Sequence, residues 1–197
     1  IIQLQEGIYR TLLLPRKRHY SFPMVFLSNY KTYLMLETTK HSYLEIFILG
    51  QNGRDIKGTF KLKGLESIKI IDPIMFIRDG VYYLFGSTFP ESSSTLNIWS
   101  SKSLESEFVL HPCSPIELEV YRSRMGGQLF EMNGQLMRLS QNSKNRYGDF
   151  LEVYLVKDLD EKRYKEEFIG SISIKNAFGP HTFTVAEGRI FIDFYIE

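Results

Sequence analysis

The chain has almost no cysteine. Its only one, Cys113, excludes a disulfide framework. The four histidines are scattered and show no H-x-x-x-H spacing, and a lone cysteine makes no C-x-x-C, so neither a metal site nor any other cofactor is expected. Cys113 stands between two prolines in HPCSP, the setting of a loop residue more than of a nucleophile. Net charge is also lacking. With 24 Lys and Arg against 23 Asp and Glu, the formal charge is +1, which gives no bulk electrostatic support for nucleic-acid binding. The one dense basic run, RKRH at Arg16 to His19, reads as a solvated loop. No apolar run approaches the ~18 residues of a membrane span, and no signal peptide is visible. The chain opens at Ile1 without Met, which is compatible with a removed leader or upstream segment; the compartment stays open, with the cytoplasm as the default reading. Helical periodicity is scarce as well: KDLDEKRYKEEF is the best helical candidate, with a charged loop as the alternative.

What the chain has is apolar, aromatic and repetitive. Hydrophobic residues make up 43% and aromatics 14%, enough for a sizeable core. Four segments share one pattern of apolar strand, tight turn and second apolar strand: Phe22 to Glu37, Asp72 to Ser87, Gly126 to Gln141 and Pro180 to Tyr195. Their turns are Asn29-Tyr30, Asp79-Gly80, Asn133-Gly134 and Glu187-Gly188. Asp-Gly and Asn-Gly favour type I′ hairpins because both central residues need positive φ. The intervening stretches SYLEIFIL, LNIWSSKSL and FLEVYLVKDL also read as strands. Four strands per unit of about fifty residues indicate an all-β fold of β-propeller blades; a β-sandwich is the alternative but gives no reason for equal hairpin spacing. On this reading residues 1–197 form a single propeller domain, with repeats starting near 22, 72, 126 and 180. Residues 1–14 are then outer strands of an earlier or closing blade. Either they complete the last blade in a four-bladed ring, or one blade is missing.

The inner strands of a propeller gather their starting residues near one axis, so the repeat register nominates a site. Aligned on the turns, Phe22, Asp72, Gly126 and Pro180 share a column, followed by Pro23, Pro73, Gly127 and His181. At the far end of the second strand, Glu37, Ser87, Gln141 and Tyr195 share another. Asp72 and His181 at a small or kinked entrance suggest a cavity rim. Arg138 interrupts the apolar QLMRLSQ, and a buried charge needs a partner; Asp72 or Glu37 would serve. The plainer alternatives are a turn aspartate capping backbone N–H groups and a hydrogen-bonded structural histidine.

The motifs SFP (Ser21 to Pro23), IDP (Ile71 to Pro73), SRMGG (Ser123 to Gly127), QNSKNRYGD (Gln141 to Asp149) and GPHTF (Gly179 to Phe183), in this order, resemble the propeller domain of glucosamine inositolphosphorylceramide transferases. Similar domains occur in bacterial glycan-biosynthesis proteins, some joined to sugar formyltransferase modules. That domain in turn is similar to the five-bladed propeller of glycoside hydrolase family 43, of which about four blades would be represented here. The hydrolases use a first-blade base, a third-blade aspartate and a fourth-blade glutamic acid. The resemblance matches Asp72 to the third-blade aspartate, but the acid's position falls at or beside Met125, where SRMGG has no carboxylate, and the base's blade would lie outside this chain.

The resemblance implies a carbohydrate-active domain of glycan or glycolipid biosynthesis, acting in or beside glycosyl transfer, with Asp72 as its catalytic or substrate-orienting carboxylate. Its expected ligand is a sugar, nucleotide sugar or phosphosugar; its expected partner is a fused or separate transferase domain. Glu37, Arg124, Arg138, Gln141, Asn142, Arg146, Tyr147 and His181 are the candidate ligand-binding residues, since guanidinium forks suit phosphate and carboxylate and a tyrosine can stack on a sugar face. The alternatives are a noncatalytic glycan-binding or scaffolding propeller and, disfavoured by Met125, a glycosidase.

Overall fold

The computed structural model describes residues 2–5, 8–12, 14, 19–38, 43–53, 55–146, 148–174, 179–186 and 188–194. Among them there is no helix, and seventeen strands form five separate antiparallel sheets. In chain order these are a hairpin, β1 (Ile2–Gln5) and β2 (Ile8–Thr11); a four-stranded sheet, β3 (Ser21–Ser28), β4 (Lys31–Glu37), β5 (Glu45–Leu49) and β6 (Ile56–Lys61); and a third sheet, β7 (Ile70–Arg78), β8 (Val81–Thr88), β9 (Thr95–Ser101) and β10 (Val109–Leu110), with β11 (Ile116–Glu117) also paired to β9. The fourth is β12 (Phe130–Met132), β13 (Gln135–Asn142), β14 (Phe150–Leu159) and β15 (Tyr164–Ile172); the fifth is β16 (Phe183–Ala186) and β17 (Arg189–Ile192).

Each repeated hairpin is the first strand pair of its sheet, and each later strand joins the outer edge in sequence order. Asn29, Tyr30, Asp79, Gly80, Asn133 and Gly134 all have positive φ, as I′ turns require. Gly188 does too, while Glu187 lies outside the described residues. The stretch with weak helical periodicity is strand: Lys157 to Leu159 end β14, Tyr164 to Phe168 open β15, and Asp160 closes the hairpin between them. Its Oδ1 accepts the N–H groups of Lys162 and Arg163, both at 2.8 Å, an aspartate turn that outweighs a marginal helical pattern. Nearby, Cys113 sits in the turn between β10 and β11 with Sγ 3.5 Å from the Lys162 carbonyl, a loop position.

The first strands are neighbours. The Met75 N–H lies 3.0 Å from Met24 Sδ, Ser28 Oγ meets the Tyr82 hydroxyl at 2.5 Å, and Gln128 Nε2 donates to the Val25 carbonyl at 3.1 Å. Gly127 forms a parallel bridge with Phe183, joining the fourth and fifth sheets. The main core, which includes Met35, Ile46, Phe85, Ile98, Trp99, Met125 and Leu136, runs continuously through the second, third and fourth sheets.

Two first strands break their ladder at the same end. Between Ser21 and Met24, three residue steps of β3 face two of β4; Ile71 to Ile74 does the same against β8. Each is a bulge with one extra residue, and its positive-φ residue is Phe22 or Asp72, immediately before a proline. Gly179 before Pro180 repeats the step, one residue earlier than turn alignment places it. In the fourth sheet the irregularity falls after the Met125–Ser140 bridge, at Gly126 and Gly127. These glycines have a packing reason: a Cβ on Gly127 would fall onto the backbone N and O of Phe183, and Gly127 has φ +124.

This contrast predicts two outcomes. Gly127→Ala should destabilise by at least about 2 kcal/mol through backbone strain and loss of the bridge. Gly134→Ala, at φ +74 with open space around it, should cost only about 1 kcal/mol. Urea denaturation of both variants checks the order; equal costs would show that the bridge contributes nothing.

Candidate functional site

The bulged ends of these strands surround a cavity of about 640 Å³ lined by His19, Ser21, Phe22, Pro23, Glu37, Asp72, Arg124, Gln141, His181, Thr182 and Asp193. Its residues come from the second to fifth sheets and the segments that enter them. Asp72 is its centre. The bulge turns this side chain inward, where only 2% of the residue is exposed. Arg124 holds the carboxylate with two bonds, Nε to Oδ2 at 2.7 Å and Nη2 to Oδ1 at 3.2 Å. Gln141 Nε2 donates to Oδ2 at 2.9 Å and to the Met125 carbonyl at 2.7 Å. Both partners of this nitrogen are pure acceptors, which fixes the amide orientation. Gln141 Oε1 is left buried with no hydrogen-bond partner among the described residues.

Glu37, also buried, accepts the Asp72 backbone N–H through Oε2 at 2.8 Å. Burial pushes the Asp72 carboxyl up to about 7; Arg124 opposes the rise and the nearby Glu37 charge adds to it. On the far wall, Asp193 Oδ1 accepts the N–H groups of His181 at 2.9 Å and Thr182 at 2.5 Å, and its Oδ2 is 3.7 Å from His181 Nδ1. Among the described residues no group of three or more His, Cys, Asp or Glu is placed to hold a metal ion.

Of the residues nominated by sequence, Glu37, Asp72, Arg124, Gln141 and His181 line the cavity. Arg138 does not. It is 0% exposed, and its partner is neither Asp72 nor Glu37 but Glu166 of β15, through Nε to Oε2 at 2.6 Å and Nη2 to Oε1 at 2.7 Å. Its guanidinium carbon also lies 4.6 Å from the Tyr154 ring centroid. Side chains alternate along β13, so Gln141 and Arg138, three residues apart, emerge on opposite faces. Asn142 follows the same alternation: its Nδ2 donates to Glu152 at 2.9 Å in a buried network with Arg122 and Tyr154. Arg146 is on an exposed loop, 3.4 Å from Asp149, and does not line the cavity. Tyr147 lies outside the described residues.

Sequence reasoning missed His19, Ser21, Thr182 and Asp193. Asp193 carried a usable signal, since it interrupts the apolar run IFIDFY just as Arg138 interrupts its own strand. His19 carried none, because it precedes the hairpin and matches no repeated column, and Ser21 stood out only as the first residue of SFP. Met125, which the motif resemblance sets against the hydrolase acid, is fully buried. The nearest acids in sequence do not replace it: Glu119 pairs with Arg122 and Glu131 with Arg78, and neither lines the cavity.

The family model described as glucosamine inositolphosphorylceramide transferase 1, N-terminal, matches residues 8–181. The chain belongs to this family. A glucosamine inositolphosphorylceramide transferase 1 of Oryza sativa subsp. japonica is 31% identical over 158 residues, 75% of this chain and 20% of the relative. The chain therefore spans about a fifth of the length of the curated relatives it matches. Among solved structures, a glycoside hydrolase family 43 β-1,3-galactosidase with galactodeoxynojirimycin matches at TM-score 0.60 and 12% identity, over 77% of this chain and 46% of that one. An exo-1,5-α-L-arabinanase from a bovine ruminal metagenomic library matches at TM-score 0.57 and 13% identity, over 81% and 61% of the two chains. At these identities the likeness concerns the fold, which is that of the family 43 propellers.

Two outcomes follow. Glu166→Gln should cost about 3–5 kcal/mol by stranding the buried Arg138 charge, whereas Arg138→Met combined with Glu166→Gln should recover most of that loss. Thermal melts of the single and double variants decide it, and a double variant no better than the single would show that the charge was not stranded. The second concerns pH. The folded-state value of Asp72 lies above the ordinary 3.8, so the folded protein binds the extra proton. The resulting stability is full below about pH 4 and is lost as pH rises through 7, at up to about 1.4 kcal/mol per unit. Asp72→Asn should flatten this part of the stability–pH curve; an unchanged slope would assign it to other groups.

Proposed function

We propose that this chain is a glycan-recognising propeller domain of glycan or glycolipid biosynthesis, and that it acts beside a glycosyl-transfer step. The observation that carries this reading is the pairing of Asp72 with Gln141 on the cavity wall. A carboxyl group held in place by Arg124 and by the Gln141 amide lines the cavity, so a fixed acceptor is presented to a sugar hydroxyl. Family membership supports the biosynthetic setting. The repeats are read as successive blades of one propeller domain of the five-bladed type.

The lining argues for an uncharged sugar over a phosphosugar or nucleotide sugar. Arg124 is the one arginine or lysine among the described lining residues, its charge is matched by Asp72, and Glu37 and Asp193 add two further carboxylates. Hydrolysis is disfavoured because a glycosidase needs two carboxyl groups flanking the bond. The resemblance sets Met125, a buried residue, against the acid, and Glu37 contacts Asp72 instead of standing opposite it. Transfer chemistry is assigned to a separate or fused domain, in keeping with the greater length of the relatives. Asp72 then orients the ligand.

Neutral oligosaccharides, tested as a panel by thermal shift, should include a binder. At 100-fold excess over its Kd such a binder contributes about 2.7 kcal/mol, a rise of roughly 5–10 °C. Gln141→Met should weaken its affinity by about 1–3 kcal/mol. Stabilisation by nucleotide sugars alone would overturn the preference and make the cavity a donor site.

A further inference from the structure

A second pocket of about 280 Å³ adjoins the cavity and is lined by Ser93, Tyr121, Arg124 and Ser143. Arg124 lines both. Three segments of the entrance face build the smaller one: the β8–β9 turn supplies Ser93, the β11–β12 connection supplies Tyr121 and Arg124, and the loop after β13 supplies Ser143. The first two segments are tied together. Tyr121 N–H donates to the Ser93 carbonyl at 2.5 Å, Leu118 N–H to Ser94 at 2.8 Å, and the Ser123 hydroxyl to the Ser92 carbonyl at 2.7 Å.

These bonds hold Tyr121 at φ +73, a conformation that costs a non-glycine residue of order 1–3 kcal/mol. The strained residue is nevertheless 44% exposed. An aromatic ring held at a pocket rim at such a cost serves better as a contact surface than as core. The other wall, the Arg124 side chain, is 26% exposed while its Nε and Nη2 reach inward to Asp72. Unlike the central cavity, this pocket has no carboxylate among its described lining residues.

We propose that the second pocket is a subsite for a second sugar unit, so that the ligand is an oligosaccharide of at least two residues laid across Arg124. This rests on the glycan-recognition reading of the central cavity. A sugar ring presents an apolar C–H face and a girdle of hydroxyls. Tyr121 supplies an apolar surface with a polar tip, the two serine hydroxyls both donate and accept, and the guanidinium donates only.

The test is calorimetric titration of paired probes: galactose against β-1,3-galactobiose, arabinose against α-1,5-arabinobiose, and N-acetylglucosamine against its β-1,4-linked disaccharide. At least one disaccharide should bind ten-fold or more tightly than its monosaccharide. Tyr121→Gly removes the ring and suits positive φ, so the fold should be retained; it should abolish that gain while leaving monosaccharide affinity within two-fold. Ser93→Ala should reduce the gain partially. Equal binding of the paired probes, or a gain that survives Tyr121→Gly, overturns the subsite and leaves the central site standing. No binding by any probe, mono- or disaccharide, overturns both.

Discussion

The buried carboxylate of Asp72 is the constraint on which the centre of this molecule depends. A carboxyl group with so little exposure requires partners, and meeting that requirement fixes several other elements. Arg124 must approach from the segment ahead of β12, Gln141 must end β13 at that level, and Glu37 must meet the backbone N–H of Asp72 from β4. Three sheets are thereby brought to one point by side-chain bonds, beyond what apolar packing specifies. The bulge and positive φ at Asp72 create this geometry, since an unbroken ladder through Ile71 to Ile74 would shift the alternation of the strand by one.

The fourth sheet carries a second polar system on the opposite face of β13. Arg138 with Glu166 and Tyr164, and Arg122 with Glu152, Asn142 and Tyr154, form buried networks inside the sheet. The two systems serve different ends. The one around Asp72 fixes a carboxyl group among the residues that line the cavity. The networks at Arg138 and Glu152 saturate their groups within the protein, and such pairs specify register more than they add net stability.

The fold likeness to the family 43 propellers thus comes with a centre built on the buried carboxyl group of Asp72, while Met125 of the adjoining segment is packed in the main core. Close backbone contacts also mould the rim: Gly127 lies against Phe183, and the Gly179 N–H donates to the Gly148 carbonyl at 2.8 Å. A loop of the fourth sheet and the strand entering the fifth are thereby locked together, so the cavity walls are set by backbone as much as by side chains.

The sequence by itself determined the all-β class, the four hairpins and their role in opening successive sheets, because turn chemistry and two-residue alternation are local properties. It also brought Glu37, Asp72, Gln141 and His181 together through repeat register, and Arg124 through its place beside the third hairpin. Tertiary structure decided what local pattern leaves open. It placed Arg138 against Glu166, because an isolated charge announces that it needs a partner without saying on which face of the sheet the partner lies. It turned the charged stretch after Lys157 into a hairpin, since pairing β15 along the edge of β14 outweighs a marginal helical pattern. It brought in His19, Ser21, Thr182 and Asp193, whose proximity to Asp72 comes from the convergence of separate sheets. Long-range convergence carries no local periodic signature, so of these four only Asp193, a charge inside the apolar run IFIDFY, stands out before the chain is folded.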